Sequence, residues 1–329
     1  MKKRILTGIT TTGTPHIGNY LGAIKPALNL ASDFDESFYF LADYHAIIKN
    51  INNKEVGESV KDVALAWLSS GLDTSNSFFY RQSDVPEILE LSWILSCVTA
   101  KGLMNRSHAY KAATASNSDD EDKGITMGLF SYPILMAADI LMFNATHVPV
   151  GSDQTQHIEM TRDIAARFNH IYKKIFELPE AIIQTSNEIV PGIDGRKMSK
   201  SYGNIIPLLS TEKQLKKSIA KIVTNSLEPG QPKDHEDCTV HSLYSYFATK
   251  DQLNEFTEEY KQGIGWGDAK NKLFEIINEE LEPIRHKYES LSEDKDLIND
   301  LLSDGASKVR VQAKDMILSL RESIGIQKI

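Results

Sequence analysis

The chain has little cysteine, no excess of positive charge and no long apolar run. Its two cysteines, Cys97 and Cys238, stand far apart, with no CxxC pair and no Cys/His cluster beside them. That argues against a disulfide framework or a zinc site and reads as free thiols in a reducing compartment. No apolar run is long enough to span a bilayer. The first residues, Met1 to Gly8, are basic but lack the apolar stretch of a signal peptide, so a cytoplasmic protein is expected. Lys and Arg number 36 against 45 Asp and Glu, and the net charge of −9 is not the field of a general nucleic-acid binder. A local basic track remains compatible with it.

What is present is ordinary for a globular protein, 41% hydrophobic and 25% charged. A length of 329 residues suits a large α/β domain and a smaller second one. Arg4–Gly8 reads as a strand, and a small-residue loop leads to a helix from about His16. Ile17, Leu21, Ile24 and Leu28 keep helical spacing, and Pro26 should kink or break that helix near Lys25. Phe38–Leu41 and Phe78–Tyr80 read as strands, with a helix from Lys54 to Ser70 between them. Asp84 is placed to cap the helix near Val85-Pro86. Residues 101–123 break the rhythm and read as a mobile loop, polar and acidic over Ser116–Asp122. A helix over 132–144, a strand His147–Val150 and a helix from Gln154 to about Phe168 follow. Beyond Ser201 the pattern is almost wholly helical. The expectation is a Rossmann-like, doubly wound parallel sheet over 1–200 and a smaller all-helical domain over 201–329, whose last helix packs back on the first.

Four segments carry chemistry. In Thr10-Thr11-Thr12-Gly13-Thr14-Pro15-His16-Ile17-Gly18-Asn19, a turn between strand and helix exposes backbone N–H groups to an anion, and His16 and Asn19 share a helical turn. Alone, it reads equally as a helix cap with a stray histidine. In Asp194–Ser201 a turn precedes Lys197 and Lys200 with Ser199 and Ser201, a set able to close on pyrophosphate or simply to be a solvated basic loop. Tyr132, Met136, Asp139 and Phe143 form one helical stripe. A carboxylate on such a face needs a partner: a buried ion pair, a cap, or a ligand N–H such as an indole's. Gly151-Ser152-Asp153-Gln154 follows a strand where open parallel sheets bind ligands. Asp153 there is either a helix cap or an acceptor for ribose hydroxyls.

Together, His16-Ile17-Gly18-Asn19 and Lys197-Met198-Ser199-Lys200-Ser201, about 180 residues later, resemble the paired signatures of class I aminoacyl-tRNA synthetases, with Asn19 in place of a final His. Within that class, 133–141 and 151–165 resemble the tryptophanyl family more than the tyrosyl one. The resemblance runs through most of 4–204.

It implies activation of tryptophan by ATP and transfer to tRNA(Trp) by a homodimer, with Mg²⁺ accompanying ATP and no protein metal site. Lys197, Lys200, Ser201, His16 and Asn19 would act on the phosphates. Thr10, Thr11, Thr12, Gly18, Asn19, Gly151, Ser152, Asp153, Ile189, Met198 and Ser199 would contact ATP. Asp139 would take the indole N–H, Met136 and His45 would line its pocket, and Tyr132 and Gln154 would hold the α-amino group. Two departures from many relatives are Leu6 in place of Phe and Thr10-Thr11-Thr12 in place of Gln-Pro-Ser. Lys213, Lys216, Lys217 and Lys221, with Arg106 and Lys111, are either a solvated face or contacts to tRNA phosphates, and Lys111 can instead reach pyrophosphate. The alternatives are a tyrosine-specific relative, a generic nucleotidyltransferase, or a non-catalytic paralogue that senses tryptophan or binds RNA. Intact Lys197 and Lys200 speak against the last.

Overall fold

The computed structural model describes residues 2–48, 53–117, 120, 122–183, 189–294 and 296–326. Five strands form: β1 (Arg4–Thr10), β2 (Glu36–Ala42), β3 (Phe78–Arg81), β4 (His147–Val150) and β5 (Glu180–Ile183). They make one parallel sheet in the order β3-β2-β1-β4-β5. Helices α1 (Ile17–Asn19) and α2 (Lys25–Leu30) join β1 to β2, and α3 (Asp43–Ile47) and α4 (Asn53–Ser69) join β2 to β3. Then come α5 (Glu87–Val98), α6 (Lys101–Met104), α7 (His108–Ala115) and α8 (Met127–Met142) before β4, and α9 (Thr155–Ile171) before β5. The rest is α10 (Glu212–Ala220), α11 (Thr239–Ser245), α12 (Lys250–Lys261), α13 (Trp266–Glu293) and α14 (Leu297–Ser323).

Parallel strands covered on both faces are apolar at nearly every position, and β2 is buried from Ser37 to Ala42. Their two-residue period sends Phe38, Phe40 and Ala42 to one core with α5, α8 and α9. Tyr39 and Leu41 go to the other core with α2 and α4. That second core continues without a break into the helical half through Leu215, Leu243, Phe256 and Leu273.

The chain returns at its end. α14 packs on β3 and α5, and Arg310 and Arg321 pair with Glu87 and Glu90 of α5 at 2.9 and 2.6 Å. Gly305 sits so close to β3 that a Cβ there would fall 1.8 Å from the Phe79 carbonyl oxygen.

Some local expectations are overturned. Pro26 does not end its helix, although the helical register does change from π to α next to it, at Lys25. The chain runs from α1 through a π turn, Tyr20–Ile24, directly into α2, and Pro26 lies in the first turn of α2. A first-turn proline has no intrahelical bond to lose, and the π turn re-registers the helix around it. Asp84 caps nothing, because Arg81 holds both its oxygens at 2.7 and 3.0 Å. The segment 101–123 is not one loop but carries α6 and α7. Of the acidic stretch, residues 118, 119 and 121 lie outside the described set. β5 is an additional edge strand.

A mid-helix Gly→Ala change normally stabilises by about 1 kcal/mol. Here Gly305→Ala is expected to reverse that sign and cost about 3 kcal/mol through the clash with Phe79. Urea unfolding checks it, and an unchanged or raised midpoint would refute the close seating of α14.

Candidate active site

Chain connections diverge between β1 and β4, the point where an open parallel sheet parts its loops and binds ligands. A cleft of about 450 Å³ opens there. Its lining includes Leu6, Gly8, Thr10 and Thr12 from β1 and the loop after it, Phe40 and Ala42 from β2, and Val148, Val150 and Gly151 from β4. Asn19 and Gly22 close one side. His45, Tyr132, Met136, Asp139 and Gln154 line it as well.

At the closed end Asp139 is 1% exposed. Gln82 Nε2 donates to both its oxygens at 2.8 and 3.0 Å, and His45 Nε2 lies 2.9 Å from Oδ2. Burial pushes the carboxyl above the usual range, while the His45 and Gln82 hydrogen bonds act the other way. A carboxylate offers about four acceptor sites, so one further N–H is accommodated. Gln82 is itself held by its neighbours. Its Oε1 accepts from Tyr44 N–H at 3.1 Å, and Asp43 Oδ1 accepts from Tyr44 and Ser83 N–H at 3.1 and 3.0 Å.

Along one wall the Tyr132 hydroxyl meets His157 Nε2 at 2.7 Å, and His157 Nδ1 meets Gln154 Oε1 at 2.9 Å. Because an amide oxygen only accepts, Nδ1 carries the proton and Nε2 accepts from tyrosine. As the donor in its bond to His157, the Tyr132 oxygen keeps a lone pair that could face an ammonium.

The other end of the cleft lies by the start of α1. The His16 imidazole is buried, and among the described residues its Nδ1 has no hydrogen-bond partner. It packs against Gly18, where a Cβ would come within 3.0 Å of Nδ1. A side chain at position 18 would therefore press on the histidine ring. Burial first, and the Lys200 charge second, lower the His16 pKa to about 4. The ring is neutral near pH 7 and can offer a hydrogen bond but no charge. Lys200 Nζ donates to the Thr12 carbonyl, and Gly13 N–H donates to Ser59 Oγ at 2.7 Å.

The loop holding both lysines is tied to α1. Gly18 N–H points at the Met198 sulfur at 3.4 Å, Ile17 N–H donates to the Ile206 carbonyl at 2.9 Å, and Leu208 N–H donates to that of Pro15 at 3.1 Å. Buried Asn204 holds the loop's shape. Its Nδ2 donates to Asp194 Oδ1 at 2.7 Å and the Lys197 carbonyl at 3.0 Å, and its Oδ1 accepts from Ser199 N–H at 2.8 Å. Ser199 and Ser201 hydroxyls meet at 2.8 Å.

Nine of the residues expected from sequence line the cleft, namely Thr10, Thr12, Asn19, His45, Tyr132, Met136, Asp139, Gly151 and Gln154, and several do not. Thr11 is fully buried, away from the lining. Met198 is buried against α1, and Ile189 is exposed and apart from the cleft. Ser152 is exposed beside Gly151, and the Asp153 side chain lies outside the described set. Lys197, Lys200 and Ser201 are exposed and outside the lining, and Lys200 alone reaches it, through the Thr12 carbonyl. Sequence reasoning passed over Gln82, His157 and Asn204. Gln82 had a signal, since it follows the carboxyl end of a parallel strand. His157 stood three residues after Gln154. Asn204 had none, because its partners are main-chain groups.

His241 is also lowered to about 4, by burial and then by His235. As the pH falls from 6.5 towards 4, the unfolded chain takes up protons on His16 and His241 that the native chain refuses. Their contribution to stability therefore declines over that window. In an NMR pH titration both rings should change charge near pH 4. Midpoints near 6.5 would contradict the burial of both.

Comparison with known proteins agrees with this geometry. The family described as tRNA synthetases class I (W and Y) matches residues 1–282. The tryptophan–tRNA ligase of Neisseria meningitidis is 52% identical over 99% of this chain and 98% of its own. That of Pseudomonas aeruginosa is 53% identical over 100% of this chain and 75% of its own. The crystal structure of tryptophanyl-tRNA synthetase from Campylobacter jejuni, complexed with ADP and tryptophan, superposes with a TM-score of 0.88 at 42% identity, over 98% of this chain and 99% of that one. The sheet, the cleft at its switch point, the signature segments and these likenesses agree, and the chain belongs to the class I tRNA synthetases of the tryptophan and tyrosine branch.

Proposed function

We propose that this chain activates L-tryptophan with ATP to tryptophanyl-adenylate and transfers the aminoacyl group to tRNA(Trp). The observation that carries the reading is a cleft with chemically opposite ends. One is apolar and closes on the buried Asp139 acceptor; the other opens onto Thr10, Thr12 and Asn19, with Lys200 against the Thr12 carbonyl.

Tryptophan's ring occupies the closed end with its N–H on Asp139, beside Met136 and His45. Its ammonium sits between the Tyr132 oxygen and Gln154. The substrate carboxylate is the nucleophile and attacks the α-phosphate, so the protein needs no nucleophile of its own. It positions the reactants and neutralises the departing pyrophosphate. Lys197 and Lys200 supply that charge, with the Ser199 and Ser201 hydroxyls. Neutral His16 and Asn19 orient the phosphates by hydrogen bonding alone. Gly151 and Asp153 hold the ribose. Among the described residues no three His, Cys, Asp or Glu side chains cluster as a metal site. Mg²⁺ accompanying ATP would be held by the phosphates and would withdraw charge from them.

Residues 201–329 contact the tRNA, aided by the exposed lysines 213, 216, 217 and 221. Leu89, Trp93 and Cys97, four residues apart, form an exposed stripe on α5, with Trp93 72% exposed. This stripe seats a second copy of the chain. No helix among the described residues is long and apolar enough to cross a membrane, and the enzyme works in the cytoplasm with its tRNA.

Asp139→Asn keeps the shape but can turn a donor towards the indole. Losing one hydrogen bond to a charged acceptor costs about 1.5–3 kcal/mol. The KM for tryptophan should rise by about tenfold to a hundredfold, with the KM for ATP little changed, in pyrophosphate exchange. An equal rise for both substrates would overturn the pocket. Lys200→Ala should lower kcat by about 100-fold or more while leaving tryptophan binding intact by calorimetry. A lost affinity with unchanged kcat would move Lys200 out of the transition state. Trp93→Glu should yield a monomer in analytical ultracentrifugation, and an unaltered mass would remove α5 from the interface.

A further inference from the structure

The aromatic end of the cleft has a wall that none of the motifs contains. Phe40 in β2 and Gly8 in β1 are paired in the sheet register, and both line the cleft with Leu6. The tip of the Phe40 ring fills the space over Gly8 that a side chain there would need. A Cβ on Gly8 would fall 2.3 Å from Phe40 Cζ and 2.4 Å from Cε1. On its other side the ring stacks on fully buried Tyr80, with centroids 5.8 Å apart and planes 17° apart. Tyr80 in turn meets Phe143 edge-on at 5.7 Å. Phe40 is therefore held between β1 and packed aromatic rings, 5% exposed, with the cleft as its open side. A ring so confined cannot turn aside for a larger ligand without disturbing the sheet core.

We infer that Phe40, seated over Gly8, is a specificity-determining residue that sets the breadth of the aryl pocket and excludes rings bulkier than an unsubstituted indole. The inference rests on the proposed placement of tryptophan's ring beside Asp139. The pair Gly8 and Phe40 works as a unit: the missing side chain on β1 is what lets the large one on β2 lie in the wall.

The test is ATP–pyrophosphate exchange by the full chain with tryptophan and with 4-, 5-, 6- and 7-bromotryptophan, comparing wild type, Phe40→Ala and Phe40→Leu. Apolar pockets discriminate by roughly 10–200-fold per methylene-sized group. Phe40→Ala should therefore raise kcat/KM for at least one brominated substrate, relative to tryptophan, by about tenfold or more. Phe40→Leu should move the same substrate by less. Continued exchange with tryptophan shows that each variant is folded, and if Phe40→Ala does not fold, Phe40→Leu decides. Variants that exchange with tryptophan yet keep the wild-type ranking of all four analogues within about twofold overturn the role of Phe40. Failure of the underlying placement looks different: Asp139→Asn would then leave the KM for tryptophan unchanged, and the inference falls with it.

Discussion

A carboxylate buried to 1% exposure on an apolar helix face must be hydrogen-bonded by its neighbours, and satisfying Asp139 organises the closed end of the cleft. Gln82 reaches it only because β3 ends beside β2 and the turn after β3 is tied to Asp43. His45 reaches it because α3 begins where β2 stops. Three parts of the chain, after β2, after β3 and along α8, thus meet at one acid. With the indole placed as proposed, the same arrangement would give selectivity. A phenyl ring in the place of an indole leaves a buried acceptor one donor short, a penalty much larger than a difference of one methylene.

The other end of the cleft is held from a distance. The lysine loop hangs on α1 through Met198 and through main-chain bonds at Ile17 and Leu208. Immediately after α1, the Tyr20 hydroxyl and Lys25 ammonium both reach Glu280 of α13, at 2.6 and 2.7 Å. The nucleotide-facing helix start is therefore braced by the helical half of the chain, while α14 braces the sheet edge at β3. With His16 kept neutral by burial, mobile positive charge at this end rests on lysines.

Much of this was legible in the sequence, for physical reasons. Phe38–Leu41 and His147–Val150 are short apolar runs between turn residues, and only a parallel sheet buries such runs on both faces. Asp139 declared itself as a charge on an apolar stripe. What was not legible depends on three-dimensional context. Pro26 looked like a helix breaker because a π turn leaves no mark in a spacing pattern. Asp84 looked like a cap because Arg81, three residues earlier, competes for it only once β3 is formed. Thr11 looked like its neighbours, yet it turns inward just after β1, fully buried between two residues that line the cleft. Gln82 and Asn204 act through contacts to residues or main chain that no local pattern reveals.

The central claim is that a single cleft joins a tryptophan pocket to an ATP phosphate site. ATP–pyrophosphate exchange by the purified chain with each of the twenty amino acids in turn tests it most directly. Exchange with tryptophan alone is the result this account predicts. Exchange with tyrosine would keep the fold but contradict the reading of Asp139, and exchange with none would contradict the catalytic role of the lysine loop.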